Sequence, residues 1–147
     1  MGLDNGITLR LRKDKFTEKE IATLNKFNDS TYIIEDENTF DVDLLYWRKC
    51  WNIRGEIFDF LRKKGHTVDG DIYEYDLSID EMFDLTKALR KILNPHWWDE
   101  NDNSIWTWKE CGKNYIDNVK RCVKALNVLK KMNKSEDSYR IYFYDSY

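Results

Sequence analysis

The sequence predicts an α+β fold: a small, mostly antiparallel sheet that includes both chain ends, covered by three or four helices, in one domain spanning residues 1–147. Three observations predict it. Near the start, Ile7-Thr8-Leu9-Arg10-Leu11-Arg12 alternates apolar and polar residues, the two-residue period of a half-buried strand. At the other end, Tyr139-Arg140-Ile141-Tyr142-Phe143-Tyr144 is an aromatic-rich strand running almost to the last residue. Between them, several stretches carry the 3.6-residue period of amphipathic helices, two of them opened by capping signals. Strands at both termini pair readily in one sheet, and the helices then cover it.

Composition narrows the class. A chain of 147 residues removes roughly 68–70% of its unfolded surface from water. Six Trp, nine Tyr and seven Phe predict a core heavy in aromatics, which bury large areas at low side-chain entropy. A net charge of −3 and a pI near 5.5 speak against a general nucleic-acid binder, which carries a basic excess. No apolar run approaches the ~20 residues of a membrane span, and no signal peptide opens the chain, so the expected location is the cytoplasm, off the membrane. Cys50, Cys111 and Cys122 lack metal-site spacing and read as reduced thiols. Neither a metal nor a cofactor is implied.

After the first strand, Thr17 and Glu20 form a capping box, with Phe16 stapling onto Ile21, and open a short helix to about Phe27. Tyr32-Ile33-Ile34-Glu35 reads as a second, short strand. Phe40-Asp41-Val42-Asp43-Leu44 alternates like a strand and runs into the next helix. Asp69-Gly70, between Thr67-Val68 and Ile72-Tyr73, is a hairpin turn signal. Ser78 and Glu81 form a second capping box, and that helix buries Ile79, Met82, Phe83, Leu85, Leu89 and Leu93 before Asn94-Pro95. A loop with Trp97 and Trp98 follows, and Ser104 caps a short helical stretch. Tyr115, Val119, Cys122, Leu126 and Leu129 then mark a longer helix reaching about Met132.

The centre of the chain, Leu44 to Leu61, winds onto one helix with a continuous apolar arc that includes Tyr46, Trp47, Cys50, Trp51, Ile53, Ile57 and Phe58. One residue breaks the sorting. Arg54 projects from the middle of that arc, and a charge on a buried face needs a partner. The structural reading pairs it with a carboxylate such as Asp4 or Asp43. The functional reading has Arg54 lining a pocket flanked by Trp47 and Trp51, with the indoles stacking on a base and the guanidinium forking onto an anion. Both readings stay open at this point.

Met1-Gly2-Leu3-Asp4, Tyr46-Trp47-Arg48-Lys49 with Asn52-Ile53, and Tyr142-Phe143-Tyr144-Asp145-Ser146-Tyr147 together resemble a group of small phage and prophage accessory proteins. These open on Met-Gly-Leu-Asp, carry a central Tyr-Trp-Arg-Lys helix and finish on an aromatic strand. Some members read Tyr-Trp-Arg-Lys-Ala-Asn where this chain has Cys50-Trp51. The family has no secure activity. What the resemblance implies is provenance: a phage or mobile-element protein acting in bacterial cytoplasm, with host takeover or counter-defence as the role such genes serve.

The remaining candidates have bland readings beside sharp ones. Trp97-Trp98 next to Asp99, Asn101 and Asp102 suits a sugar platform or a protein-interaction anchor, and equally a loop pinned to the core. The neighbouring acids lack the spacing and central Gly of a calcium loop. The acidic run from Asp69 to Asp84 aids solubility, or mimics nucleic acid if spread over one surface. Lys113, Lys120, Lys124 and Lys131 share one helix face, which is usually a solvated face. No catalytic residues stand out, since there is no nucleophile elbow, phosphate loop or Cys–His signature; His66 and His96 are the only candidate bases. The sequence therefore reads as a non-enzymatic binder of a small anionic, nucleotide-like ligand, at Trp47, Trp51, Arg54 and Asp4. An inhibitor of a host or defence protein, acting through Trp97 and Trp98, is one alternative, and a small hydrolase is the other. Self-association into a homo-oligomer is compatible with all three.

Overall fold

A computed structural model of the chain describes residues 4–28, 36–48, 51–68, 73–92 and 113–146. The expected strand at Tyr32–Glu35, the turn at Asp69-Gly70, and the stretch from His96 through Ser104 to Glu110 lie outside the described residues. The described elements run β1 (Asp4–Arg12), α1 (Glu18–Asn25), β2 (Thr39–Arg48), α2 (Trp51–Lys63), β3 (Glu74–Leu77), α3 (Ile79–Ile92), α4 (Lys113–Lys131), a 3₁₀ turn (Glu136–Ser138) and β4 (Tyr139–Ser146). The four strands form one sheet in the order β2-β1-β4-β3, every neighbouring pair antiparallel. The α+β architecture is the expected one. The strands from the two ends of the chain, β1 and β4, pair at its centre.

Alternation explains the two faces of the sheet. Ile7, Leu9 and Leu11 of β1, Ile141 and Phe143 of β4, and Tyr75 and Leu77 of β3 are buried against the helices. They meet Ile53, Ile57 and Leu61 of α2, Met82, Leu85 and Leu89 of α3, and Val119, Cys122, Leu126 and Leu129 of α4 in one cluster. The opposite face carries polar cross-strand pairs. Arg10 forks onto Asp41 at 2.9 and 3.0 Å and donates to the Tyr142 hydroxyl at 3.2 Å. Arg140 stacks on the Tyr142 ring with its guanidinium 4.3 Å from the centroid, and reaches Glu74 and Asp76. Opposite charges are thus paired where a bare sheet face would meet water.

One expectation is corrected. Leu44 to Leu61 is not a single helix, because residues up to Arg48 belong to β2 and α2 begins at Trp51. Ile7 faces Leu45 while Thr8 faces Asp43, so Leu44 is an extra residue in β2, a bulge. The bulge turns Leu44 and Leu45 to the same face and resets the alternation from Phe40-Val42-Leu44 to Leu45-Trp47. On a helical projection such a reset strand is indistinguishable from the start of an apolar arc. Likewise Thr67 and Val68 are not in a strand, and β3 pairs with β4 rather than closing a hairpin on them.

The helix boundaries follow their signals. Thr17 Oγ1 accepts from the Glu20 N–H at 3.1 Å while Glu20 Oε1 accepts from the Thr17 N–H at 2.9 Å. Ser78 and Glu81 repeat the exchange at 3.1 and 3.0 Å. Gly65, at φ 89°, ends α2 with the His66 N–H returning to the Leu61 carbonyl at 3.0 Å. Asn133, at φ 53°, follows the end of α4 in the left-handed conformation that asparagine tolerates.

Gly6 lies on the outer face between Tyr46 and Tyr144, and a Cβ there would collide with the Leu45 carbonyl oxygen and the Tyr144 ring. Gly6→Ala is expected to cost about 1–3 kcal/mol. Gly55→Ala, where a Cβ meets nothing within 4 Å in the middle of α2, should instead add about 0.4–1 kcal/mol. Urea unfolding midpoints of the two variants, moving in opposite directions, check both statements.

The capping carboxylates also set an acid dependence. The Thr17 N–H, helped by the Lys134 ammonium, holds Glu20 below its ordinary range. Burial pushes Glu81 up, but the Ser78 N–H and His66 outweigh it and leave its pKa lowered. Both groups bind fewer protons folded than unfolded, so their stabilisation is present above the unfolded range, about pH 4.3, and is lost as pH falls through it. Melting temperatures measured from neutral to acid pH should fall less steeply below that point in Glu20→Gln/Glu81→Gln than in the parent.

Candidate functional site

Arg54 sits in the first turn and a half of α2, where the helix crosses the inner face of the sheet. Its Nε and Nη2 donate to Oδ1 and Oδ2 of Asp145 at 2.8 Å each, a two-pronged charge-assisted pair. The Asp145 side chain is only 4% exposed, so the pair is largely withdrawn from water. The guanidinium also lies 4.3 Å from the centroid of Phe58, one turn further along α2. Phe58 in turn packs edge-on against Tyr75 and Phe143.

Asp145 is thus a partner of Arg54 that the sequence did not point to. Asp43 faces the other side of the sheet, where it accepts from the Thr8 hydroxyl at 3.2 Å. Asp4 supplies backbone to β1 beside Asn5, and its side chain lies outside the described residues, as does that of Trp51, the first residue of α2. Trp97, Trp98 and His96 lie outside them altogether. Arg54 and Trp47 lie at one end of the fold, linked through Asp145 and Asn5 in the sheet register and not on one helix. Trp47 is on β2, fully buried, and it reaches the same end through the sheet register.

That register brings in a residue which the sequence reading missed. Asn5 on β1 stands opposite Trp47 on β2 and opposite Asp145 on β4. The three form a row across the inner face, with exposures of 0% for Trp47, 0% for Asn5 and 5% for Asp145. Asn5 Nδ2, Asn5 Oδ1 and Trp47 Nε1 are buried with no hydrogen-bond partner among the described residues. Each such atom costs about 1–3 kcal/mol, and buried polar groups left unmade call for a physical reason. A signal for Asn5 was present: it falls in phase with Ile7, Leu9 and Leu11, just as Asp145 falls in phase with Ile141 and Phe143.

Chemically, the row offers two unused donors and one unused acceptor beside a self-neutralised ion pair. The Arg54 fork is occupied by Asp145, and the buried atoms of the row without partners among the described residues, Asn5 Nδ2, Asn5 Oδ1 and Trp47 Nε1, are neutral. Elsewhere, His66 Nε2 is 2.8 Å from Glu81 Oε2 and links the end of α2 to the start of α3. The Cys122 thiol is pushed up to about 12 by burial, which leaves it un-ionised at neutral pH. Among the described residues no group of His, Cys, Asp and Glu could hold a metal ion, and no helix is long and apolar enough to cross a membrane.

Comparison of the chain with protein-family models, with curated proteins and with solved structures finds no match. The chemistry of the row is therefore argued from its own atoms.

The ion pair makes a sharp prediction. Arg54→Met strands a buried carboxylate and should cost about 3–5 kcal/mol, whereas Arg54→Met/Asp145→Leu should recover most of that loss. Chemical denaturation of the single and double variants decides it.

Proposed function

We propose that the chain is a non-enzymatic binding protein that holds a small, nucleotide-like ligand where Trp47, Asn5 and the Arg54–Asp145 pair meet. The observation that carries this reading is the set of three buried polar atoms in one row that have no partner among the described residues. A fold that needed the row only for packing would gain stability by making it apolar, and retention of such costs is the mark of sites selected for function. An anionic group on the ligand meets favourable potential at the start of α2, whose first turn holds no acidic residue. This replaces the expected fork of Arg54 on the anion, since that fork lies on Asp145. Sequestration of a nucleotide signal in counter-defence, the role suggested by the resemblance to phage accessory proteins, would use such a site directly.

The test begins with the protein purified without denaturation. Heat extraction followed by absorbance and mass spectrometry should reveal a retained nucleotide, or a panel of nucleotides should raise the melting temperature. A ligand at a hundred times its Kd contributes about 2.7 kcal/mol, which is several degrees for a chain of this size. A protein that carries no nucleotide and whose melting ignores the whole panel contradicts the proposal.

A further inference from the structure

We infer that Asn5 and Trp47 read the hydrogen-bonding edge of a nucleobase, so that the base and not the phosphate carries recognition; this rests on the row being a nucleotide-like site. What decides it is a count of donor and acceptor atoms, each needing at least one partner. The indole N–H and the carboxamide NH₂ are donors and the carboxamide oxygen is an acceptor. The complement is an edge with one donor and two acceptors. A phosphate or carboxylate brings acceptors only and leaves Asn5 Oδ1 unmet. An ammonium brings donors only and leaves Asn5 Nδ2 and Trp47 Nε1 unmet. A nucleobase has both kinds on one rigid edge, as in the uracil imide, whose N–H lies between two carbonyl oxygens.

Placement supports the count. Asn5 and Trp47 are directly opposite on neighbouring antiparallel strands, which puts their Cβ atoms about 4.5–5.5 Å apart. Two side chains so placed leave the same face of the sheet side by side, within the span of one small planar group. Both belong to the sheet, so the reading groups are held on rigid elements rather than on a loop. Arg54 and Asp145 pair beside them, so the reading atoms are neutral and ligand charge adds only the modest potential at the start of α2. All three atoms are covered, so ligand enters through an opened form of this end of the sheet, and the apparent affinity is lowered by the population of that form.

The experiment uses the full chain and titration calorimetry with adenosine, guanosine, cytidine, uridine, their monophosphates, and inorganic pyrophosphate. At least one nucleoside should bind within about tenfold of its monophosphate, and pyrophosphate should not compete. Asn5→Leu removes the buried amide, so the free protein should melt at the parent temperature or above it, while nucleoside affinity falls about tenfold to a hundredfold. Trp47→Phe, which keeps an aromatic ring and loses the N–H, should weaken the same nucleoside. Binding of pyrophosphate and monophosphates without any nucleoside, or undiminished binding by Asn5→Leu, overturns the inference and leaves the ligand-binding reading standing. If no nucleoside or nucleotide binds and Asn5→Leu lowers the melting temperature by several degrees, the Asn5 amide serves the fold through ordered water, and both readings fall.

Discussion

The bond between Arg54 and Asp145 is the constraint on which the polar end of the sheet depends. It joins residues 91 positions apart in sequence and ties the first turns of α2 to the last residues of β4. A guanidinium held by both oxygens of a buried carboxylate tolerates little rotation or slippage. With α2 fixed there, Phe58 is delivered onto Tyr75 and Phe143, and Ile53, Ile57 and Leu61 fall onto the sheet. The pair therefore sets the geometry of the core at the place where the sheet row is most polar. Its energy matters less than its specificity, because apolar residues of the same shape would often be as stable.

The second constraint is the register of β1 between its two neighbours. β1 faces β2 on one side and β4 on the other, so a single position on β1 aligns three strands. A slip of one residue would turn Asn5 outward and carry Arg10 to the inner face. The bulge at Leu44 allows β2 to keep both Val42 and Trp47 on the inner face despite their odd separation of five. On the outer face, Gly6 leaves room for the Tyr144 ring, and Arg10 holds β1 to β2 through Asp41 and to β4 through the Tyr142 hydroxyl. Polar residues on one face thus stabilise the alignment that creates the polar row on the other.

Much of this was legible in the sequence, for identifiable reasons. Thr17 with Glu20 and Ser78 with Glu81 mark helix starts by local hydrogen bonds, which need no tertiary context. The alternation from Ile7 to Arg12 and from Tyr139 to Tyr144 marks strands because one face of each is buried. The segment from Leu44 to Arg48 was misread because a bulge imitates helical periodicity over a few residues. The misplaced charge of Arg54 and its need for a carboxylate were visible, but Asp145 was not, since it is remote in sequence and lies in a stretch notable for its aromatics. Asn5 is not marked because Asn5-Gly6 precedes Ile7, where the clear alternation begins. Only the register shows that both belong to the strand itself and that Asn5 points inward.

Side-chain hydrogen exchange followed by NMR tests the central claim most directly, that the sheet end is a closed polar row pinned by Arg54 and Asp145. The account predicts a slowly exchanging Arg54 Nε–H, together with cross-relaxation between the Asn5 carboxamide protons and the Trp47 indole ring. Addition of a bound nucleoside should then shift the Asn5 carboxamide and Trp47 indole N–H signals more than any others. An Arg54 Nε–H that exchanges as fast as an exposed arginine, with no contact between Asn5 and Trp47, would contradict it.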